Sequence, residues 1–194
     1  EDPRAAILKA ALGKVEQFGW TEAALAAGAK DCGYPTVTAG MFKNGTMDLI
    51  TYMMSEALEE TRREMAERTP AAAPQSDGSV SGGSSGCDGM EEDFDIYSGA
   101  ASVERLTLAT ELRLMALAPY IRAWPQAMSV GLQPPNVRVT AHALACLADE
   151  LAFLGGDRST DMVWYSRRAL IAAVYVSGEL FMLTDTSRDF ADTR

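Results

Sequence analysis

The sequence predicts an all-α protein. Ala, Leu and Met fill the interiors of its segments, Gly and Pro stand mostly at segment edges, and the alternation of apolar and polar residues that is typical of strands is almost absent. The 194 residues, 47% of them hydrophobic, are enough to bury a sizeable core in one domain or two small ones. No charge-free run reaches the roughly 18 apolar residues of a spanning helix, so we expect none.

Residues 1–68 are predicted to form helices joined by short turns. Pro3 suits the first turn of the first helix, and Gly19 ends it. Thr21 is expected to cap the second helix with its hydroxyl. A short segment over 35–41 precedes the third helix, which carries apolar residues on one side and Glu–Arg pairs toward its end. The predicted helices span 3–18, 21–31 and 47–67.

The chain changes character at residues 69–99, which are rich in Pro, Ser and Gly and then acidic. This stretch has too little apolar surface to offset its ordering entropy, so it is predicted to be a flexible linker. Helical patterning then predicts a C-terminal bundle over 100–194, with a kink at Pro119 and a break at Pro134-Pro135. The helical stretches of this bundle are predicted at 101–121, 136–156 and 156–185.

Composition disfavours several classes of function. A net charge of −10 repels nucleic-acid phosphates unless a local basic patch overrides it. The three cysteines are widely spaced, which is typical of reduced thiols rather than of a disulfide framework or a zinc site. His142 is the single histidine, whereas a helical di-iron site needs paired Glu-x-x-His motifs. "GGSSG" at 82–86 matches the Gly-x-Ser-x-Gly pattern but lies in the linker. No catalytic residue or metal site is therefore predicted.

The order of helices in residues 1–68 allows an alternative. A helix, a helix-turn-helix and a long helix form the layout of ligand-sensing transcriptional regulators of the TetR type. Such a regulator places Arg or Lys where its recognition helix enters the major groove. The corresponding segment, "PTVTAGMF" at 35–42, has no basic residue, and residues 1–68 hold eight Lys and Arg against eleven Asp and Glu. The geometry suits a DNA-binding regulator, but the charge does not.

The last helical stretch, "GDRSTDMVWYSRRALIAAVYVSGELFMLTD" at 156–185, is apolar around most of its circumference. The wide apolar arc is predicted to form core or to line a lipid cavity. Two interpretations of the remaining narrow sector stay open. A neighbouring segment covers it, or it contacts a partner, since Trp, Tyr and Arg dominate interface hot spots. The apolar arc includes Val163, Leu170, Ile171, Val174 and Phe181. The narrow sector holds Asp161, Trp164, Tyr165, Arg168, Tyr175 and Glu179.

The run from Gly156 to Arg168 resembles the lipid-binding accessory protein family of ubiquinone biosynthesis. Its distinctive pattern is Gly-Asp-x-Ser-Thr-Asp-x-x-Trp-Tyr-x-x-Arg. The segments "AALGKVEQFGWTEAALAAGAKDCG" and "RLMALAPYIRAWPQAMSVGLQPPNV" are similar to other parts of the same family. The similarity covers nearly the whole chain apart from residues 69–99 and is therefore specific.

This resemblance implies a TetR-like fold that no longer binds DNA, a homodimer, and a hydrophobic pocket in the C-terminal helices. It implies a non-enzymatic protein on the matrix side of the mitochondrial inner membrane. Such a protein binds an isoprenoid quinone intermediate or a phospholipid, uses no cofactor, and presents demethoxyubiquinone to the membrane-bound di-iron demethoxyubiquinone hydroxylase. The resemblance assigns the partner-docking patch to Asp149, Leu151, Asp161, Trp164, Tyr165 and Arg168. The candidate lipid-binding residues are Leu112, Met115, Leu147, Ile171, Val174 and Phe181.

The sequence departs from the family pattern in two places that bear on function. Ala152 stands where the family often has a bulky aromatic residue, so we expect weaker partner contact at that edge of the patch. The chain ends at Arg194, where the family continues into an amphipathic membrane-binding helix. If that helix was trimmed, we expect this chain to bind membranes poorly. A mitochondrial member is also expected to have a transit peptide; for a chain that opens "EDPRAAILKAAL", either no leader exists or it has been removed.

Overall fold

The structure, a computed structural model, describes residues 2–68, 100–157 and 163–194. Every regular element within these ranges is helical, so the predicted all-α class is confirmed. The predicted linker over 69–99 and the docking candidate Asp161 lie outside the described residues. The α-helices of the described ranges are α1 (Pro3–Leu12), α2 (Val15–Phe18), α3 (Glu22–Asp31), α4 (Thr46–Arg68), α5 (Ala100–Met115), α6 (Trp124–Gly131), α7 (Val137–Gly155) and α8 (Val163–Met182). Short 3₁₀ helices cover Thr36–Met41, Ala118–Tyr120 and Arg188–Phe190.

The first helices of the chain differ from the prediction in two details, a break at Gly13 and the absence of a side-chain cap at Thr21. The predicted first helix is divided into α1 and α2 around Gly13, a residue with low helix propensity. There the Lys14 N–H donates to the Ala11 carbonyl at 2.9 Å, a tighter turn than the α-helical one. Thr21 does precede α3, but its hydroxyl donates to the Phe18 carbonyl at 2.9 Å. The predicted side-chain cap at Thr21 is therefore wrong.

Two apolar cores share the long helix α4. The first core joins α1, α3 and the first half of α4 to α6, and the buried rings of Trp20 and Trp124 meet in it with centroids 5.9 Å apart. The Gln126 side chain holds Trp20 in place, because its Oε1 accepts from the Trp20 backbone N–H (2.9 Å) and its Nε2 donates to the Trp20 backbone carbonyl (3.3 Å). The second core joins the end of α4, near Met65, to α5, α7 and α8. The first core is thus built from both sides of residues 69–99.

The segment that a DNA-binding regulator would place in the major groove is a 3₁₀ helix, Thr36–Met41, packed against α3. Val37 and Met41 are exposed on it. Because 3₁₀ helices are short and poorly hydrogen-bonded, this segment differs from the α-helix that reads bases in helix-turn-helix proteins. The geometry of this segment, like its lack of basic residues, therefore disfavours DNA binding.

The longest C-terminal helices, α7 and α8, have 19 and 20 residues and pack against each other. Neither of them, nor any other helix within the described ranges, combines the length and apolarity needed to cross a membrane.

Candidate functional site

The face that α8 turns toward the protein is the opposite of the predicted one. The apolar arc is largely exposed, and the polar sector is largely buried. The sequence-based prediction assumed that the widest apolar arc faces the core, whereas here polar side chains enter the interior in pairs with α5 and α7. The buried side chains of α8 are Arg168, Ile171, Tyr175, Glu179 and Met182. Among the described side chains of the predicted arc, Leu170, Val174, Leu180 and Phe181 are exposed, so the prediction holds for Ile171 and is wrong for these four. The Val163 side chain lies outside the described part of the helix.

Arg168 is the centre of the site at the start of α8, and it is only 8% exposed. Its Nη1 donates to Asp157 Oδ2 at 2.6 Å, and its Nε donates to Asp149 Oδ1 at 3.1 Å. The guanidinium also lies 4.7 Å from the centroid of the Trp164 ring, within cation–π range. One arginine thus ties α7, the turn after it and α8 together.

The turn after α7 places Asp157 where Arg168 needs it. Gly156 adopts a left-handed conformation with φ of 96°, which glycine tolerates without the strain of a side chain. The Gly156 N–H donates to Phe153 O (3.0 Å) and the Asp157 N–H to Ala152 O (2.9 Å), the pair of bonds that defines a Schellman motif. The Asp157 carboxylate then receives Arg168 at one oxygen and Arg167 at the other, at 3.4 Å.

Trp164 and Tyr165 form the outward part of this site. Their rings meet edge to face, with centroids 4.8 Å apart and planes at 83°. Trp164 is half-buried on Arg168, whereas Tyr165 is 72% exposed. Each of the two interpretations of the narrow sector therefore applies to a different part of the helix. Neighbouring helices cover Arg168, Tyr175 and Glu179, and the aromatic pair remains available for contact.

The other predicted docking residues do not all reach the surface. The Asp149 side chain is 56% exposed beside Arg168. Leu151 is fully buried in the second core, so it supports the surface from below. Ala152, the position where the resemblance predicts an aromatic residue, is buried as well.

The structure distributes the six predicted lipid-binding residues over two clefts and two other places. Leu112 and Met115 line a cleft of about 700 Å³ between α1, α4 and α5, here named the α4–α5 cleft. Ile171 and Val174 line a cleft of about 350 Å³, here named the α5–α8 cleft. Leu147 is buried in the second core, and Phe181 is exposed. No single cavity therefore brings the six together within the described residues.

Sequence reasoning missed Arg113, which lies on α5 with no exposed surface. Its guanidinium lies 5.6 Å from the centroid of the Tyr175 ring, and the Tyr175 hydroxyl donates to Glu179 Oε1 at 3.1 Å. Burial raises the pKa of the Glu179 carboxyl, while the Tyr175 hydrogen bond and the Arg113 charge act against that rise. Burial also raises the pKa of the Tyr175 hydroxyl. The sequence did contain a sign of this burial. Arg113 stands four residues after Ala109 and four before Leu117, both buried apolar residues, so helical spacing puts its charge on the side that faces the core.

Comparisons with known proteins identify the family. The COQ9 family profile matches residues 137–194, which include the Arg168 site, and the profile of the "Ubiquinone biosynthesis protein COQ9, N-terminal domain" matches residues 1–30. This chain belongs to the COQ9 family. The resemblance found in the sequence is thereby confirmed.

The curated relatives of this COQ9-family chain are similar along nearly its whole length. Mitochondrial ubiquinone biosynthesis protein COQ9 of Xenopus tropicalis and that of Homo sapiens are each 33% identical over 96% of this chain. The Drosophila melanogaster protein is 33% identical over 98% of it. These alignments cover 53%, 52% and 51% of the relatives, so the chain spans about half their length. Their names support a mitochondrial location for this chain.

No group of three or more His, Cys, Asp or Glu side chains in the described part of this COQ9-family chain is arranged to hold a metal ion.

We predict that the two carboxylates around Arg168 differ sharply in their contribution to stability. Asp157→Asn should lower the free energy of unfolding by about 3 kcal/mol or more, because it removes one partner of a buried ion pair whose side chains are each 10% exposed. Asp149→Asn should lower it by less than about 1 kcal/mol, since the Asp149 side chain is largely solvated. Denaturant unfolding measures both values, and equal losses would contradict the central place given to Asp157.

Proposed function

We propose that this protein is a non-enzymatic, lipid-binding accessory protein of ubiquinone biosynthesis. It binds an isoprenoid quinone intermediate and presents it to demethoxyubiquinone hydroxylase on the matrix side of the mitochondrial inner membrane. Membership of the COQ9 family supports the pathway. The observation that carries the docking role is the Trp164–Tyr165 ring pair, held at the surface by the buried Arg168.

The fixed geometry of the ring pair suits a docking surface. Arg168 is held by two carboxylates and supports the Trp164 ring, so little side-chain freedom is left to lose when a partner binds. Tyr165 adds an exposed ring with a polar end, a residue type enriched at interface hot spots. The site therefore offers a rigid aromatic contact with an acidic neighbour, Asp149, at its edge.

The α5–α8 cleft suits an isoprenoid tail better than the α4–α5 cleft. Both volumes fall in the range typical of small-molecule sites, roughly 300 to 1,000 Å³. The α4–α5 cleft is ringed by Glu56, Glu60 and Glu64, and carboxylates disfavour a hydrocarbon. The walls of the α5–α8 cleft are mostly apolar and include Leu114 and Ile171. Its charged residues, Glu111 and Arg194, pair with each other at 3.4 Å. We propose that the tail lies in the α5–α8 cleft.

We propose that a second copy of the chain packs against the exposed apolar side of α8. Leu170, Val174 and Phe181 lie along one line of the helix, and each is about half exposed. A continuous apolar stripe on a helix favours association with another protein surface. A two-fold dimer satisfies it with the same stripe from the partner chain, in agreement with the homodimer that the resemblance implies.

We predict that Trp164→Ala weakens binding to the hydroxylase about 30-fold, the loss expected when one hot-spot ring worth about 2 kcal/mol is removed. Tyr165→Ala should weaken it as well, and with less effect on folding, because that ring is mostly exposed. Leu132→Ala is the matched control, since Leu132 is an exposed apolar residue at the end of α6. Calorimetric titration measures the affinities. Unchanged affinity in both ring variants would remove the docking role.

We predict that the purified protein carries an isoprenoid quinone that mass spectrometry detects. Val174→Phe, which narrows the α5–α8 cleft, should reduce the amount bound several-fold. Ala116→Phe is the control, because it narrows the α4–α5 cleft instead. If Ala116→Phe alone removes the lipid, the tail occupies the other cleft. A lipid-free native protein contradicts the carrier function.

We predict that the protein is a dimer in solution and that Phe181→Arg shifts it toward monomer, because a charge in an apolar interface is costly to desolvate. Val37→Arg places the same charge on an exposed residue of the N-terminal part and should leave the dimer intact. Sedimentation velocity compares the three proteins. A monomeric native protein, or equal dissociation in both variants, argues against the α8 stripe as the dimer interface.

A further inference from the structure

We infer that Arg113, Tyr175 and Glu179 form an internal site for a neutral hydrogen-bond acceptor, such as the ring carbonyl of a quinone head group. The inference deepens the proposed lipid-binding function and rests on it. It assigns a role to the buried polar cluster between α5 and α8, which neither the docking patch nor the cleft walls include.

The first observation is a buried guanidinium with unused donors. Arg113 has no exposed surface, and its Nε, Nη1 and Nη2 have no hydrogen-bond partner among the described residues. An arginine stays charged inside a protein, and each buried donor without an acceptor is unfavourable. Arg113 is therefore prepared to donate hydrogen bonds to an acceptor that enters the core.

The second observation is that the nearby acid does not fulfil this role. The Glu179 carboxyl is buried and accepts from the Tyr175 hydroxyl at 3.1 Å, and no ion pair within 4 Å joins it to Arg113 in the described structure. The Tyr175 ring lies beside the guanidinium, with its centroid 5.6 Å away. Tyr175 thus contacts both side chains, and the Arg113 donors remain unpaired within the described residues.

The third observation is the position of the cluster directly behind the α5–α8 cleft. Leu114 and Val174 line that cleft and are the sequence neighbours of Arg113 and Tyr175. Gly178 lines it too and precedes Glu179. A Cβ on Gly178 would come within 3.0 Å of Leu114 Cδ1, so the Leu114 side chain lies against the α8 backbone at this point. The cluster and the cleft thus lie between the same two helices, and a ligand in the cleft can place its head group beside Leu114.

The charges favour a neutral acceptor over an anion. The Glu179 carboxyl is buried in the same cluster as Arg113, so an acidic group already lies beside the guanidinium. A carbonyl oxygen accepts the guanidinium donors and adds no charge. A phosphate has to be desolvated as a charged group to reach this buried cluster, a cost that a neutral carbonyl largely avoids. The site therefore fits a quinone carbonyl better than a phospholipid phosphate.

The test compares three ligands: a short-tailed ubiquinone, the matching isoprenoid hydrocarbon without the ring, and a short-chain phosphatidic acid. The variant is Arg113→Met/Glu179→Gln, which removes both charges together so that neither remains buried alone. Arg62→Met/Glu150→Gln makes the same exchange at an ion pair between α4 and α7, with atoms 2.6 Å apart. Arg113→Lys is a second variant that keeps the charge and loses the planar fork. Calorimetry gives affinities, and thermal unfolding verifies the fold.

We expect the native protein and the Arg62/Glu150 control to bind the quinone at least about tenfold more tightly than the hydrocarbon, as hydrogen bonds to a charged group allow. The Arg113/Glu179 variant should lose that preference while its hydrocarbon affinity is unchanged, and Arg113→Lys should lose part of it. A preference that survives in the Arg113 variants overturns the head-group site, as does equal native affinity for quinone and hydrocarbon. Tighter, Arg113-dependent binding of phosphatidic acid overturns the neutral acceptor. If none of the ligands binds, the carrier function itself fails.

Discussion

The ion pair between Arg168 and Asp157 is the interaction on which the rest of the C-terminal half depends. It sets the rotation of α8 about its own axis, because the guanidinium is drawn inward to the turn that ends α7. With that rotation set, Tyr175 and Glu179, further along the same face, point into the protein. Leu170, Val174 and Phe181 then have to point outward, although hydrophobicity alone favours their burial. A paired charge therefore decides which face of an apolar helix the protein buries.

This arrangement also explains why an apolar helix begins with two aromatic residues. The buried Arg168 offers one face of its guanidinium to Trp164, and Tyr165 packs against the edge of that ring. Neither ring belongs to the second core, which is built from the end of α4, from α5 and α7, and from residues 171–182 of α8. Rings that are held firmly but cover no core are typical of recognition surfaces. The proposed docking role thus rests on how the aromatic pair is supported.

Helix ends could be predicted from the sequence, because they depend on the backbone preferences of nearby residues. Pro3, Gly19, the proline breaks and Gly156 marked helix ends correctly, since their backbone preferences act within a few residues. The orientation of α8 was not predictable, because it depends on Asp157 and Arg113, which approach it from other elements. Helical periodicity uses only the hydropathy of each single residue, so it contains no information on ion pairs with other elements. The helical wheel grouped Arg168 and Trp164 on one narrow sector, and the family resemblance assigned both to the docking patch. The wheel placed that sector away from the core, whereas Arg168 is buried.

The two proposed sites on α8 constrain how a ligand could be handed over. Trp164 and Tyr175 are separated by about 16 Å along the helix axis at roughly 1.5 Å per residue, so a head group held at Arg113 lies well away from the Trp164–Tyr165 ring pair. Handover therefore requires the head group to leave Arg113 along the α5–α8 cleft. Val174 lines that cleft and also belongs to the exposed stripe. A second copy that covers the stripe therefore borders the cleft as well, which links dimerisation to ligand release. Because α8 buries its charged side chains and exposes its apolar side, the proposed carrier cleft and the proposed subunit contact share Val174 and lie next to each other.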